Sequence, residues 1–305
     1  MTGRVDVAPT WSDLVRTSAD RINDPLAARR VVEEAAGCGA AGLVLVGDAF
    51  ARPDALDHVC SMLARLEAGE PLQHVLGHWS FRTVELAVDG RALVPRPETE
   101  VVAGHALRAL ARIRSSRPGP PAADPPSPLV VVELGTGSGA IACALVAEDA
   151  GVVVVAVERS AEALELAREN RARLPRQEAA RLVVAPGDWY DGVAALLVRH
   201  GLGEVADCVV ANPPYVAEHE WAGLDPVVRD HDPYEALVAG PSGLEAVEVV
   251  VAGAPALLRP GGALVVEIAP AQAGSALALA RLAGASEAVV ERDLVGRPRV
   301  LCARW

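Results

Sequence analysis

The tetrapeptide Asn212-Pro213-Pro214-Tyr215 has the residue types and spacing to hold a planar NH2 group. Pro214 pushes Pro213 into an extended conformation and each ring fixes φ, so the Pro213 carbonyl is held outward on a rigid turn with no N–H competing nearby. The side-chain oxygen of Asn212 supplies a second acceptor beside it. Two acceptors on one turn can take both hydrogens of an amide or amino group, and Tyr215 can lie against the flat face that carries it. A turn that only ends a strand would share this backbone. What favours chemistry is the position, directly after the apolar run Val209-Val210-Ala211.

A second set of residues suits a nucleoside. Gly135-Thr136-Gly137-Ser138-Gly139 follows the apolar run Leu129–Leu134 and precedes a helical stretch. Glycines there let the backbone turn tightly and approach a ligand with no Cβ in the way, while the helix start offers unpaired N–H groups. The third glycine comes one residue too early for the dinucleotide pattern, which argues against a nicotinamide or flavin. The next apolar run ends at Glu158, about twenty residues on, where a carboxylate can accept the hydroxyl protons of a ribose. After the third run comes Asp188-Trp189, a carboxylate for an adenine amino group and an indole to pack on the ring. Asn212 stands where it could serve this ligand as well as the amide.

These residues need a scaffold, and the pattern from residue 129 onward describes one. Leu129–Leu134, Val152–Glu158, Arg181–Val184, Val205–Ala211, Ala263–Ile268, Glu287–Glu291 and Arg299–Arg304 read as strands. Ile141–Ala147, Ala161–Leu174, Val193–His200, Leu244–Leu258 and Ala271–Leu282 read as helices. Near-continuous Val, Ile and Leu imply strands buried on both faces, hence an α/β fold with an open, doubly wound sheet of seven strands and ligands at its carboxyl ends. Upstream, Asp24–Ala36 and Pro53–Glu67 have apolar residues at helical spacing, marking a small helical domain over residues 1–75. Residues 76–95 read as a β-hairpin linker, with Asp89-Gly90 as the turn signal, and 96–305 as the main domain. The proline-rich stretch 115–128 is expected to be a loop, and Val216–Ser242 a long functional loop at the substrate entrance.

Composition narrows the partners. The 305 residues carry a net charge of −12, and all 28 basic residues are arginine. An acidic chain is a poor default for nucleic acid, whose binding draws on a basic surface. No apolar run reaches the length of about 18 residues that a membrane span needs, and the N-terminus has no basic region leading into a hydrophobic one. A cytoplasmic, soluble protein without membrane attachment is expected. Five cysteines lack C-x-x-C spacing, so neither a metal nor a disulfide is expected.

Together these strings resemble class I methyltransferases with an N-P-P-Y motif, and over roughly residues 70 to 305 the HemK/PrmC family of protein-(glutamine-N5) methyltransferases. Besides the two core motifs the resemblance rests on Pro71–Gly77, on Leu93-Val94-Pro95-Arg96-Pro97-Glu98-Thr99-Glu100, and on Pro233–Gly240 with Gly243-Leu244. It continues through Pro260–Ile268 and Asp293–Arg299. Ala269 departs from a usual glycine, and the first 70 residues match more loosely. The resemblance implies a Rossmann-like catalytic domain, S-adenosylmethionine as cofactor, and as partner a class I peptide chain release factor, methylated on the glutamine of its Gly-Gly-Gln loop. It implies a monomer whose N-terminal helical domain docks the substrate. Gly135, Thr136, Gly137, Ser138 and Gly139 would line the cofactor, Glu158 its ribose, and Asp188 and Trp189 its adenine. Asn212, Pro213, Pro214 and Tyr215 would hold the glutamine, and Arg96 to Glu100 would close over the cofactor. The same chemistry would serve a glutamine of a ribosomal protein or the adenine amino group of a nucleic acid, and a cofactor-binding partner protein without catalysis is the remaining alternative.

Overall fold

The computed structural model describes residues 8–116 and 127–305, so 117–126, the middle of the proline-rich stretch, lie outside the described residues. Two compact units result. One runs to Gly77 and includes the segment Pro226–His231; the other comprises His78–Asp225 and Asp232–Trp305.

The first unit is helical: α1 (Trp11–Ile22), α2 (Pro25–Ala36), α3 (Ala40–Val46), α4 (Pro53–Glu67) and α5 (Leu72–Leu76). Local chemistry sets their ends. Thr10 and Asp13 form a capping box on α1, Asp24 accepts two backbone N–H groups ahead of Pro25, and Gly37 ends α2 at a φ of 66°. Val31, Val32, Val59 and Met62 meet in its core.

The second unit opens with a hairpin of β1 (His78–Phe81) and β2 (Val84–Ala87), followed by the long helix α6 (Pro97–Ser116). The chain then alternates: β3 (Leu129–Leu134), α7 (Ala140–Glu148), β4 (Val152–Glu158), α8 (Ala161–Arg173), α9 (Arg176–Ala179), β5 (Leu182–Pro186), α10 (Val193–Arg199) and β6 (Ala206–Ala211). A tiny parallel pair, β7 (Val216–Ala217) and β8 (Val238–Gly240), brackets a short 3-10 turn, α11 (Pro226–Arg229) and α12 (Tyr234–Leu237). The chain ends with α13 (Glu245–Leu257), β9 (Leu258–Glu267), α14 (Ala273–Leu282), β10 (Glu287–Arg292) and β11 (Pro298–Arg304). Seven strands form one sheet in the order β10-β11-β9-β6-β3-β4-β5, parallel except where β11 pairs with its two neighbours.

The expected doubly wound α/β sheet is therefore present. In β3 every residue is buried: Leu129 and Val131 face a core shared with α6 and α7, and Val130, Val132 and Leu134 one shared with α10, α13 and α14. Burial on both faces is what removes the polar alternation from these strands. Among the described residues no helix is long and apolar enough to cross a membrane.

Three local features differ from the sequence reading. The hairpin turns at Arg82-Thr83 and not at Asp89-Gly90. Arg82 takes a left-handed φ of 52°, and its guanidinium makes a bidentate pair with Glu148 at 2.7 and 2.6 Å. That pairing holds a conformation that only Gly, Asn or Asp adopt readily. Asp89 instead accepts the Arg91 backbone N–H at 3.0 Å in the loop beyond. Helix α6 was not anticipated, and the long loop after β6 carries short elements of its own.

One buried side chain joins the hairpin to the main domain. Asn170 accepts the Ala87 N–H at 2.7 Å and donates to Ala87 O at 3.0 Å and to Ser138 O at 2.8 Å. It serves β2 as a missing strand neighbour would. Asn170→Ala leaves three buried backbone groups unpaired, and at about 1–3 kcal/mol for a single such group the loss should be several kcal/mol. Urea denaturation measures it.

Candidate active site

Four strand ends border one cavity of about 310 Å³. It gathers Gly135 to Ser138 after β3, Glu158 at the end of β4, Asp188 and Trp189 after β5, and Asn212, Pro213 and Pro214 after β6. Two expected residues stand elsewhere. Gly139 starts α7 at a φ of 83°, and a Cβ there would meet Ala167 at 3.4 Å, so it serves helix packing. Tyr215 borders a second cavity, with Glu220, Leu224 and Ala269.

The glycine-rich loop adopts the backbone its sequence permits. Gly135 and Gly137 have φ of 66° and 56°, the left-handed region open to glycine. The loop is tied down from below: Thr136 Oγ1 donates to Glu133 Oε2 at 2.6 Å, and the Ala142 N–H in α7 donates to the same oxygen at 3.0 Å. Glu158 is half-buried and accepts the Gly137 N–H at 2.9 Å and the Ser160 N–H at 2.8 Å. Those two bonds aim its carboxylate, which has acceptor capacity beyond them. Trp189 is half-buried at a φ of 49°, a strained conformation for an aromatic residue of the kind found where a side chain serves a ligand. An acceptor for vicinal hydroxyls, an indole face and a turn whose glycines at 135 and 137 lack a Cβ together fit a nucleoside.

The Asn212-Pro213-Pro214-Tyr215 turn is braced from behind. Asn212 Nδ2 donates to Thr99 Oγ1 at 3.1 Å, and Thr99 Oγ1 donates to Glu267 Oε2 at 2.8 Å. Gln272 Nε2 donates to the carbonyls of Tyr215 at 3.1 Å and Gly243 at 2.7 Å. A Cβ on Gly243 would come within 2.8 Å of Tyr215 O, so the close approach of the two loops needs glycine there. Arg299 lies with its guanidinium carbon 6.0 Å from the Tyr215 ring centroid.

Residues outside the two core motifs, most of them in the other strings that carry the family resemblance, complete the site. Ala92 to Pro95, Thr99, Pro233, Glu235 and Ala236 also line the cavity. Arg96 and the fully buried Asp232 side chain pair at 2.5 Å, and the Val94 N–H reaches the other carboxylate oxygen at 3.3 Å. This pair fastens the Pro-Arg-Pro strap to the Asp-Pro-Tyr loop on one side of the cavity. Arg96 thus acts through its partner Asp232.

Burial separates the carboxylates electrostatically. Glu133 is only 2% exposed, and burial pushes its carboxyl up to about 8 despite the Thr136 and Ala142 bonds. The folded chain therefore holds a proton there that the unfolded chain releases above about 4.5. Its contribution to stability is full in acid and is lost as pH rises through about 8. Glu133→Gln should flatten the fall in Tm from about pH 5 to about pH 9 relative to the parent chain, as scanning calorimetry would record.

Comparison with known proteins places the chain in a family. A family model of the Methyltransferase small domain matches residues 125–224, and one of the PrmC N-terminal domain matches residues 17–77. A Release factor glutamine methyltransferase of Streptomyces coelicolor is 41% identical over 80% of this chain and 79% of its own. One of Deinococcus radiodurans is 38% identical over 91% and 90%. The crystal structure of the hMettl16 catalytic domain superimposes with a TM-score of 0.51 at 14% identity, covering 83% of this chain and 81% of that one, which bears on fold alone. With relatives this similar over most of its length, and with its N-terminal helices matched as well, the chain belongs to the release factor glutamine methyltransferase family.

Proposed function

We propose that the chain transfers a methyl group from S-adenosylmethionine to the side-chain amide nitrogen, N5, of the glutamine in the Gly-Gly-Gln loop of class I peptide chain release factors. One observation carries the reading. Asn212, Pro213 and Pro214 border the same cavity as Gly135 to Ser138, Glu158, Asp188 and Trp189, so an amide gripped by the first set lies against a nucleoside held by the second. The relatives' names supply the class of substrate.

Bound S-adenosylmethionine supplies a methyl group on a positively charged sulfur. Gly135 to Ser138 would accommodate its backbone-facing side, Glu158 would accept ribose hydroxyls, and Asp188 and Trp189 would flank the adenine. The glutamine nitrogen is a weak nucleophile because its lone pair is delocalised into the carbonyl. Asn212 Oδ1 and the Pro213 carbonyl accept its two hydrogens, fix its orientation and favour a less planar nitrogen with the free lobe turned toward the methyl group. Pro214 and Tyr215 complete the turn that holds them. No histidine is among the lining residues, and none is needed, because a methylated amide nitrogen is acidic enough to yield its proton to solvent. Positioning of this kind lowers a barrier by up to about 7–11 kcal/mol. In this reading residues 1–75 dock the factor, 76–95 link, and 96–305 carry out the transfer, in a monomer acting in the cytoplasm.

The test is transfer of labelled methyl to purified, unmethylated release factor, beside a Gln→Ala variant of its loop, ribosomal proteins and DNA. Label on the factor and none on the loop variant is expected; label on ribosomal protein or DNA alone would overturn the choice of substrate. Asn212→Ala should lower kcat by about 100-fold, by analogy with loss of one preorganised hydrogen-bonding group, with cofactor affinity changed far less.

A further inference from the structure

An asparagine side chain presents an acceptor at one end and two donors at the other, and only the acceptor end serves an NH2 group. The two ends have nearly the same shape, so packing does not choose between them. The neighbours of Asn212 do. Its Nδ2 lies 3.1 Å from Thr99 Oγ1, which in turn lies 2.8 Å from Glu267 Oε2. Thr99 has a single hydroxyl hydrogen. Once that hydrogen is given to an ionised Glu267, only lone pairs remain on Thr99 Oγ1, and whatever faces it must donate. The Asn212 amide therefore turns its nitrogen to Thr99 and leaves Oδ1 for the ligand.

We propose that Thr99 and Glu267 are positioning residues for the reaction: Glu267 fixes the direction of the Thr99 hydroxyl, and Thr99 fixes which end of Asn212 meets the substrate amide. The inference rests on reading Asn212 as the residue that grips the glutamine.

Three elements bring this chain of bonds together. Thr99 sits in the first turn of α6, Glu267 at the end of β9 and Asn212 just past β6. Thr99 is 4% exposed and Glu267 1%, so water does not stand in for either partner. Residues near a helix start commonly cap backbone N–H groups, yet the bonds made by the Thr99 hydroxyl run to Glu267 and Asn212. Its hydroxyl is spent on the catalytic turn.

The lock depends on the charge of Glu267. A protonated Glu267 can donate to Thr99, which frees the threonine hydrogen to point at Asn212 and lets the amide flip. Burial raises the Glu267 carboxyl to about 7; Thr99 on α6, Arg299 on β11 and Tyr215 after β6 favour its ionised form, and Glu98 on α6 opposes it. The ionised form accumulates above about 7, so the lock is present there and lost as pH falls.

The experiment compares Thr99→Val, Thr99→Ser and Glu267→Gln, with kcat on release factor and S-adenosylmethionine affinity by equilibrium dialysis. Thr99→Val keeps the shape and removes the hydroxyl; kcat should fall by about 10- to 100-fold, as for a slightly misplaced catalytic group, while cofactor affinity holds. Thr99→Ser should recover most of the loss. The acid-side decline of the parent kcat should disappear in Glu267→Gln, which has no proton to titrate. Parent-like kcat in Thr99→Val, a serine variant no better than valine, or an unchanged acid limb in Glu267→Gln would each overturn the proposal. If the parent chain labels no release factor at all, the functional reading itself fails and this inference falls with it.

Discussion

A sheet covered on both faces admits a polar side chain along a strand only where partners replace the lost water, as the Val130 N–H and Arg259 do for Asp207 near the start of β6. In this domain that restriction pushes chemistry to the strand ends. Glu133, Glu158 and Glu267 stand at or next to the carboxyl ends of β3, β4 and β9, and Asn212 follows β6 directly. The loops leaving β3, β4 and β6 bring backbone and side chains to a common cavity. The cavity lies there for this reason.

The three glutamates show how position decides role. Glu158 is half-buried and held by two backbone N–H groups, which leaves a carboxylate aimed for hydroxyl recognition. Glu133 and Glu267 are buried, each receiving a threonine hydroxyl, from Thr136 and Thr99. Both have raised carboxyl values because burial outweighs those bonds. One residue type therefore stands as a half-buried acceptor at one strand end and braces neighbouring loops at two others.

Much of this was legible in the residues. Apolar runs marked the seven strands to within a few positions: strands such as β3 and β6, buried on both faces, have little other composition available, while the exposed edge strand β10 showed only the short run Ala288-Val289-Val290. The glycine-rich string and Asn212-Pro213-Pro214 were legible because their backbone needs are met by few residue types. Thr99 lay within Arg96 to Glu100, which the resemblance set over the cofactor, but its link to Asn212 and Glu267 was not legible, since those partners lie 113 and 168 positions away in the chain. Helix α6 was hidden by Pro97 and by the polar Glu98-Thr99-Glu100 string, although Pro is well suited to a first helical turn. The hairpin turn was misplaced because Asp89-Gly90 is the stronger local signal, whereas Arg82 is held at its turn by Glu148, 66 positions on. Where the deciding partner is distant, local reading fails.

Asn170 uses its amide at two places at once, the edge of β2 and the carbonyl of Ser138. It reaches them from a fixed point on α8, the tenth residue of the helix that starts at Ala161. An inserted or deleted residue between Ser160 and Asn170 would swing that side chain by about 100° around the helix axis and out of reach of both. The outer face of α8 is free to change in composition, but the count of residues from its cap to Asn170 is not. Family members that keep this bridge are bound to keep that spacing, so a length change in this helix would mark a lineage in which the hairpin is anchored by other means.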